Sequence, residues 1–386
     1  MLDAMARILL VLIIAVPLRA DIYDRLDELT HHLRSGGVPR DGIPAMTNPQ
    51  AVAPEDAHYL ADSDLVLGVV ANGAARAYPH RLGWKHEVIN DQLGGQYISV
   101  TFCPLTSTGL IFDATAPDSG QIELGVSGMV LNSNLVLYDR RDEKTLYPQM
   151  IHAGISGAHK GQCLQLLPVV ETTWGLWRAL HPHTTVVQAA TGLDRYPDYI
   201  RALYPLDSYG HYPYGNYRSD HRMIIFPLTT ARPSDRLSAK EMVLGLRVAG
   251  ESRAYPFSRM PAKAVINDRV DDRDVLVLYD AETATAIPYS RVVRGQVLSF
   301  RILSRTSDLR LSSGVRRAQP SRRSLPLAFA DVETGSEWNM RGEALTGPLE
   351  GAQLEQIPAY NSMWFGWSAY WPKTRLWNGK GILPPP

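Results

Sequence analysis

Only two cysteines occur in the 386 residues, Cys103 and Cys163, so the chain has neither a disulfide framework nor a paired Cys-x-x-Cys metal or redox motif. Charge of one sign is also missing. The 39 Lys and Arg balance the 39 Asp and Glu, which removes the basis for a general polyanion partner and for nucleic acid. The one clustered basic stretch, Arg316-Arg317 and Arg322-Arg323, lacks interleaved aromatics and reads as a solvated loop. Several motifs are absent: a P-loop, a dinucleotide-binding glycine pattern after a strand, a His-Glu-x-x-His and a nucleophile-elbow serine. Phosphoryl transfer, nicotinamide chemistry and standard zinc-peptidase chemistry therefore have no support.

Long apolar runs are scarce as well. Arg7 precedes an unbroken apolar run over residues 8–16, followed by Pro17-Leu18-Arg19-Ala20. That layout predicts a secretory signal peptide over residues 1–20, cut after Ala20, and places the mature chain in the periplasm or outside the cell. Leu18 and Arg19 fit a cleavage site poorly, so the alternative is an uncleaved segment that anchors the chain to a membrane. No transmembrane span is expected after this segment. With 45% hydrophobic and 20% charged residues, the remainder reads as globular, with material for a large core.

What the chain does have is a repeat. Val66-Leu67-Gly68, Gly73, Arg76-Ala77-Tyr78-Pro79 and Val88-Ile89-Asn90-Asp91 return without a gap as Val243-Leu244-Gly245, Gly250, Arg253-Ala254-Tyr255-Pro256 and Val265-Ile266-Asn267-Asp268. Composition alone would give roughly one or two identities in such a window, not twelve. A later echo pairs Gly157, Trp174, Trp177 and Thr184 with Gly347, Trp364, Trp367 and Thr374, and Trp371 extends the second stripe. Turn-bounded strands dominate, including a hairpin around Asn72-Gly73. The expected fold is α+β and predominantly antiparallel β, with two pseudo-repeated β-rich lobes, each closed by a short Trp-bearing helix. A helical lead over 21–40 precedes the first lobe, 41–190. An aromatic connecting segment, 191–236, leads to the second lobe, 237–378, and a disordered tail, 379–386. The tyrosines of residues 209–217 suggest a lid or an interlobe seal.

Chemistry is sought where the copies differ. His86 falls opposite Lys263, and Cys103 opposite Asp280. Cys103 ends a strand before Pro104, with Thr106, Ser107 and Thr108 following; hydroxyl and N–H donors there would favour the thiolate. His86 is the candidate base, with Glu87, Asn90 or Asp91 as candidate orienting acceptor; the repeated Asn90 and Asp91 also read as turn residues. A small buried hydrophobe and a bridge to Cys163 remain alternatives for Cys103. Arg76, Tyr78, Thr106, Ser127, Asn132, Asn134, Tyr138, Arg140 and Gln149 form the candidate ligand-binding set, with an ion pair between Arg76 and the repeated Asp as the structural alternative. Three functions follow. The first is an enzyme with Cys103 as reactive thiol. The second is a copper or zinc site built from Cys103, His86 and His152. The third is a non-catalytic module binding a small molecule or a cell-envelope partner.

Several blocks carry a resemblance. They are Asp41-Gly42-Ile43-Pro44-Ala45, Arg76-Ala77-Tyr78-Pro79, His86-Glu87-x-x-Asn90-Asp91, Thr101-Phe102-Cys103-Pro104-Leu105-Thr106, Val126-Ser127-Gly128 and Leu135-x-x-Tyr138-Asp139-Arg140. Pro213-Tyr214-Gly215-x-Tyr217 and Lys240-Glu241-x-Val243-x-Gly245 follow in the second part. Over about residues 41–375 the chain resembles the family called domain of unknown function 3179. The resemblance puts His86 and Cys103 on motif positions and leaves Cys163 outside them. Thr145-Leu146-Tyr147-Pro148-Gln149 departs from the Ser-Leu-Trp-x-Gln-like block of that family.

Overall fold

A computed structural model describes residue 22 and residues 26–116, 120–229, 234–303 and 327–383. The expected signal peptide, the basic stretch at 316–323 and the last residues of the tail lie outside them. Mostly antiparallel sheets dominate, with five short α-helices among the described residues: α1 (Leu26–His31), α2 (His80–His86), α3 (Trp174–Leu180), α4 (Asp198–Arg201) and α5 (Trp364–Tyr370). The expected β-rich class and the two Trp-bearing helices are present. None of these helices is long and apolar enough to cross a membrane.

The repeated sequence builds the same sheet twice. In the first half the strand order is Val170–Thr173, Leu65–Ala71, Ala74–Pro79, Thr185–Val187 and Ala51–Val52. In the second it is Ala359–Met363, Met242–Val248, Glu251–Pro256, Arg375–Trp377 and Ile382–Leu383. The central pair of each sheet is an antiparallel hairpin, and its second strand takes the next one in parallel: Arg76 lies beside Thr185, Arg253 beside Arg375. Asn72 and Gly73, with φ of 47° and 80°, give the left-handed turn whose twist matches the flanking strands.

Gly68 and Gly245 recur for a steric reason. A Cβ at Gly68 would fall 2.2 Å from the Trp177 ring, and one at Gly245 would fall 2.0 Å from Trp367. Each indole lies flat on a strand whose glycine leaves room for it. Each also donates its N–H to a threonine 2.8 Å away, Trp177 to Thr184 and Trp367 to Thr374. The burial and the hydrogen bond together fix where the helix lies on its sheet.

The expectation of two lobes, each closed by its own helix, is modified by the packing. Two hydrophobic clusters are private to one half each: Leu67, Tyr78, Ile98 and Phe102 in the first, Leu244, Tyr255, Val275 and Val277 in the second. Two others are shared. The α5 residues Trp364, Phe365, Trp367 and Tyr370 pack with Leu105, Leu131, Leu135 and Met150 of the first half. The α3 residues Trp174 and Trp177 pack with Leu276, Ile287, Phe329 and Trp338 of the second. Matching hydroxyl pairs tie the halves together, Thr108 to Ser362 at 3.2 Å and Thr285 to Thr172 at 2.6 Å. An apolar stripe shows that a face is buried, not which partner covers it, and here each partner comes partly from the other half.

Candidate functional site

The strand Gln96–Cys103 runs into this shared interior, and its last residue pairs with Thr108 across a turn at Ser107, where φ is 49°. The Cys103 side chain is fully buried, with its sulfur 3.8 Å from the Ser133 carbonyl. Burial pushes the thiol up to about 11, and the nearby Glu87 carboxylate adds to the shift. Hydrogen bonds from Thr106 act in the opposite direction, as the sequence predicts, but desolvation outweighs them. Cys103 and Cys163 are not joined by a disulfide; the first is buried and the second exposed.

His86, at the end of α2, does not address this thiol. Its Nδ1 lies 2.7 Å from the Pro44 carbonyl and its Nε2 lies 2.5 Å from the Tyr209 hydroxyl. A carbonyl only accepts, so Nδ1 carries the proton and Nε2 accepts from tyrosine. Burial depresses its pKa to about 4, which keeps the ring neutral. The imidazole thereby ties the 204–217 segment to the first half.

The residue that the sequence leaves in the background is Glu87. It ends α2 in the left-handed conformation, with φ of 58°, and its N–H closes the helix on the Gly83 carbonyl. The side chain is buried, and desolvation raises the carboxyl to about 8. Its charge acts on Cys103 and on Tyr214. In the second half, Lys263 and Asp280 stand at the positions of His86 and Cys103 and make an ordinary ion pair at 3.4 Å. The first half has no such pair at its end.

The connecting segment covers the site. Tyr212 donates to the Pro104 carbonyl at 2.9 Å. Tyr217 is fully buried and its hydroxyl has no hydrogen-bond partner. Above its ring, 3.0 Å from the centroid, lies the ammonium of Lys240, which is also unpartnered and lies 4.7 Å from the centroid of Phe365. Burial lowers the Lys240 pKa to about 7, with Asp220 opposing. On the other side of Glu87, a cavity with room for about one water is lined by Tyr78, His80, Gly83, Glu87 and Phe102. His80 and Glu171 stand 3.6 Å apart, an ion-pair spacing. Burial nevertheless drives the histidine to about 3 and the carboxyl to about 8, so both are uncharged near neutral pH. Both side chains are at least nine-tenths buried, and the cost of desolvating two charges there outweighs their mutual attraction. Buried polar groups without partners are uncommon, and several gather around this interior.

The remaining candidates separate into distinct clusters. Asn134 donates to Thr106 at 3.0 Å and to Gln149 at 2.7 Å, and Gln149 donates to Thr101 at 2.9 Å, a closed network behind the cysteine strand. Tyr138 and Arg140 belong elsewhere, with Asp41, Glu123 and Tyr196. Ser127 bonds the Val136 carbonyl and Asn132 the Thr229 N–H, both holding loops. Asp91 accepts from Arg76 at 2.6 Å and Tyr78 at 2.7 Å, and Asp268 does the same for Arg253 and Tyr255 at the same distances. The Asp–Tyr–Arg contacts are thus the same in both halves, which is the structural alternative expected for Arg76. His152 bonds the Leu164 carbonyl at 2.9 Å, and burial lowers its pKa to about 4. Among the described residues no three His, Cys, Asp or Glu side chains gather as a metal ion would require, so Cys103, His86 and His152 do not form such a group.

No curated protein and no solved structure matches this chain. A family model does, from residue 40 to residue 374, a span that holds the whole first sheet, three strands of the second, both Trp-bearing helices and the buried thiol. The chain belongs to the family described as Protein of unknown function (DUF3179).

Proposed function

We propose that this protein is an exported enzyme that depends on Cys103, with Glu87 in place of His86 as the group that exchanges the thiol proton. Export rests on the layout of residues 1–20. The observation that carries the enzymatic reading is the coupling of two buried groups with raised pKa values, thiol and carboxyl, at positions where the halves differ in chemistry. Perturbed groups of this kind concentrate at functional sites. Between about pH 8 and pH 11 the pair holds one negative charge, shared as Glu87 carboxylate with Cys103 thiol, or as thiolate with Glu87 acid. The second form is the nucleophile. Its sulfur forms the bond to an electrophilic carbon as the leaving group departs from that carbon with the bonding electron pair. The proton that left the sulfur is held on Glu87, from which it can pass to that leaving group. Access requires the Tyr212–Tyr217 cover to open, a local unfolding of a segment held by few hydrogen bonds.

Alkylation of the native protein by iodoacetamide tests this in a Cys163→Ser background, with mass spectrometry locating the adduct. Cys103 is expected to react without global unfolding, its rate rising with pH and levelling above about pH 8. In Glu87→Gln the rate should match wild type below that point and keep climbing beyond it, to about tenfold faster one unit higher. A Cys103 that reacts only after denaturation removes the enzymatic reading. Coincident profiles for the two proteins remove Glu87 from it.

A further inference from the structure

A groove of about 330 Å3 runs along the edge of the first sheet, lined by Ala74, Arg76, Gly94, His183, Thr185 and, from the second half, Arg341, among others. No Asp or Glu lines it. Its floor is half of a site that the second half completes with its own side chain.

In the second half, Arg253 faces two carboxylates, Asp268 at 2.6 Å and Glu251 at 2.5 Å, and its side chain is 2% exposed. Glu251 is held further by the Asp271 N–H at 3.3 Å and by Arg375, 3.8 Å away. The corresponding positions in the first half are Arg76, Asp91, Ala74, Gly94 and Thr185. The first carboxylate is kept, with Asp91 at 2.6 Å from Arg76. The second is gone, because alanine replaces Glu251. Arg76 donates through Nε to Thr185 and through Nη1 to Asp91 and Gln92, while Nη2 has no partner among the described residues. Its side chain is 18% exposed and opens on the groove.

We infer that this groove binds a small carboxylic acid whose carboxylate sits where Glu251 sits in the second half. Nη2 of Arg76 takes one oxygen, as Nη2 of Arg253 takes Glu251. The Thr185 hydroxyl, which accepts from Arg76 Nε, has its own proton to donate to the other. His183 and Arg341 line the groove with it and face the rest of the ligand. A charged, planar donor group left half-partnered beside open volume is what an anion-binding site requires. This site is separate from the Cys103 interior and does not depend on it.

Thermal unfolding in sodium succinate, against sodium chloride of equal ionic strength, tests the inference, with inorganic phosphate as a second arm. Wild type is expected to gain about 2 °C at roughly ten times the dissociation constant. Ala74→Glu supplies the missing carboxylate in cis. It should unfold at a higher temperature than wild type in chloride and lose the succinate response. Glu251→Ala is the converse, expected to lose stability in chloride and to respond to succinate more strongly than wild type. Cys103→Ser should respond as wild type does. A wild-type response equal in succinate and chloride overturns the inference, as does an undiminished response in Ala74→Glu. A response to phosphate alone overturns the assignment of a carboxylate.

Discussion

Trp367→Ala is expected to cost about 4 kcal/mol and to unfold the chain in one transition that includes the first half. The indole is fully buried, lies on Gly245, meets Tyr360 and Trp371 at 5.3 and 6.3 Å between ring centroids, and bonds Thr374. Truncation removes all of this and leaves a cavity that the strand beneath cannot fill, because its facing residue is glycine. Around that cavity stand Leu105, Leu131 and Met150, which belong to the first half. Trp177→Ala should act in the mirrored sense, through Leu276, Phe329 and Trp338. Urea titrations followed by far-ultraviolet circular dichroism and by tryptophan fluorescence decide the matter. Coincident curves, displaced together, are expected; a two-step curve with one half intact would contradict the shared cores.

Asp91→Ala and Asp268→Ala are each expected to lower stability by about 3 kcal/mol. Each removes the acceptor of an arginine and of a buried tyrosine at once. Arg76 is then left without a carboxylate, although part of its side chain reaches water; Arg253 keeps Glu251 but is almost wholly buried. These differences offset, so the two losses should be similar. Asn at either position retains the tyrosine hydrogen bond and should cost less. Denaturation at neutral pH gives the comparison. If Asp91→Ala proved as stable as wild type while Cys103 lost its reactivity toward iodoacetamide, Asp91 would belong to the chemistry and not to the frame.

The repeat was legible because strand and turn chemistry is local. Asn72-Gly73 specifies a hairpin wherever it lies between apolar runs, and the glycine–tryptophan–threonine set recurs because each indole needs both a flat seat and an acceptor. The sharing of core clusters between halves was not legible, since the periodicity of Trp364 and Trp367 carries no address. Cys103 stood out by comparison with Asp280. Glu87 was legible only as one possible acceptor beside His86, because nothing in the sequence signals the burial that raises its pKa. Lys240 was hidden for a similar reason: lysine reads as surface until Tyr217 and Phe365 are seen to enclose it. Its place in a motif just ahead of the repeated Val243 was the one available signal. His86 was conspicuous as an imidazole, yet what fixes its role is the carbonyl of Pro44, remote in sequence, and the hydroxyl of Tyr209, more remote still.

Each Trp-bearing helix stays on its own sheet, against Gly68 or Gly245, yet shares its core cluster with residues of the other half, as the interface of a symmetric dimer would. In a true homodimer every replacement enters twice, and any pocket appears on both sides of the axis. Joined covalently, the twins are released from that rule. One keeps Lys263 with Asp280 and Glu251 with Arg253 as ion pairs, while the other has His86, Cys103 and Ala74 at the corresponding positions and leaves Arg76 partly exposed. Asymmetry of this sort leaves charges paired at these positions in one half and a buried thiol, a buried imidazole and a partly exposed arginine in the other.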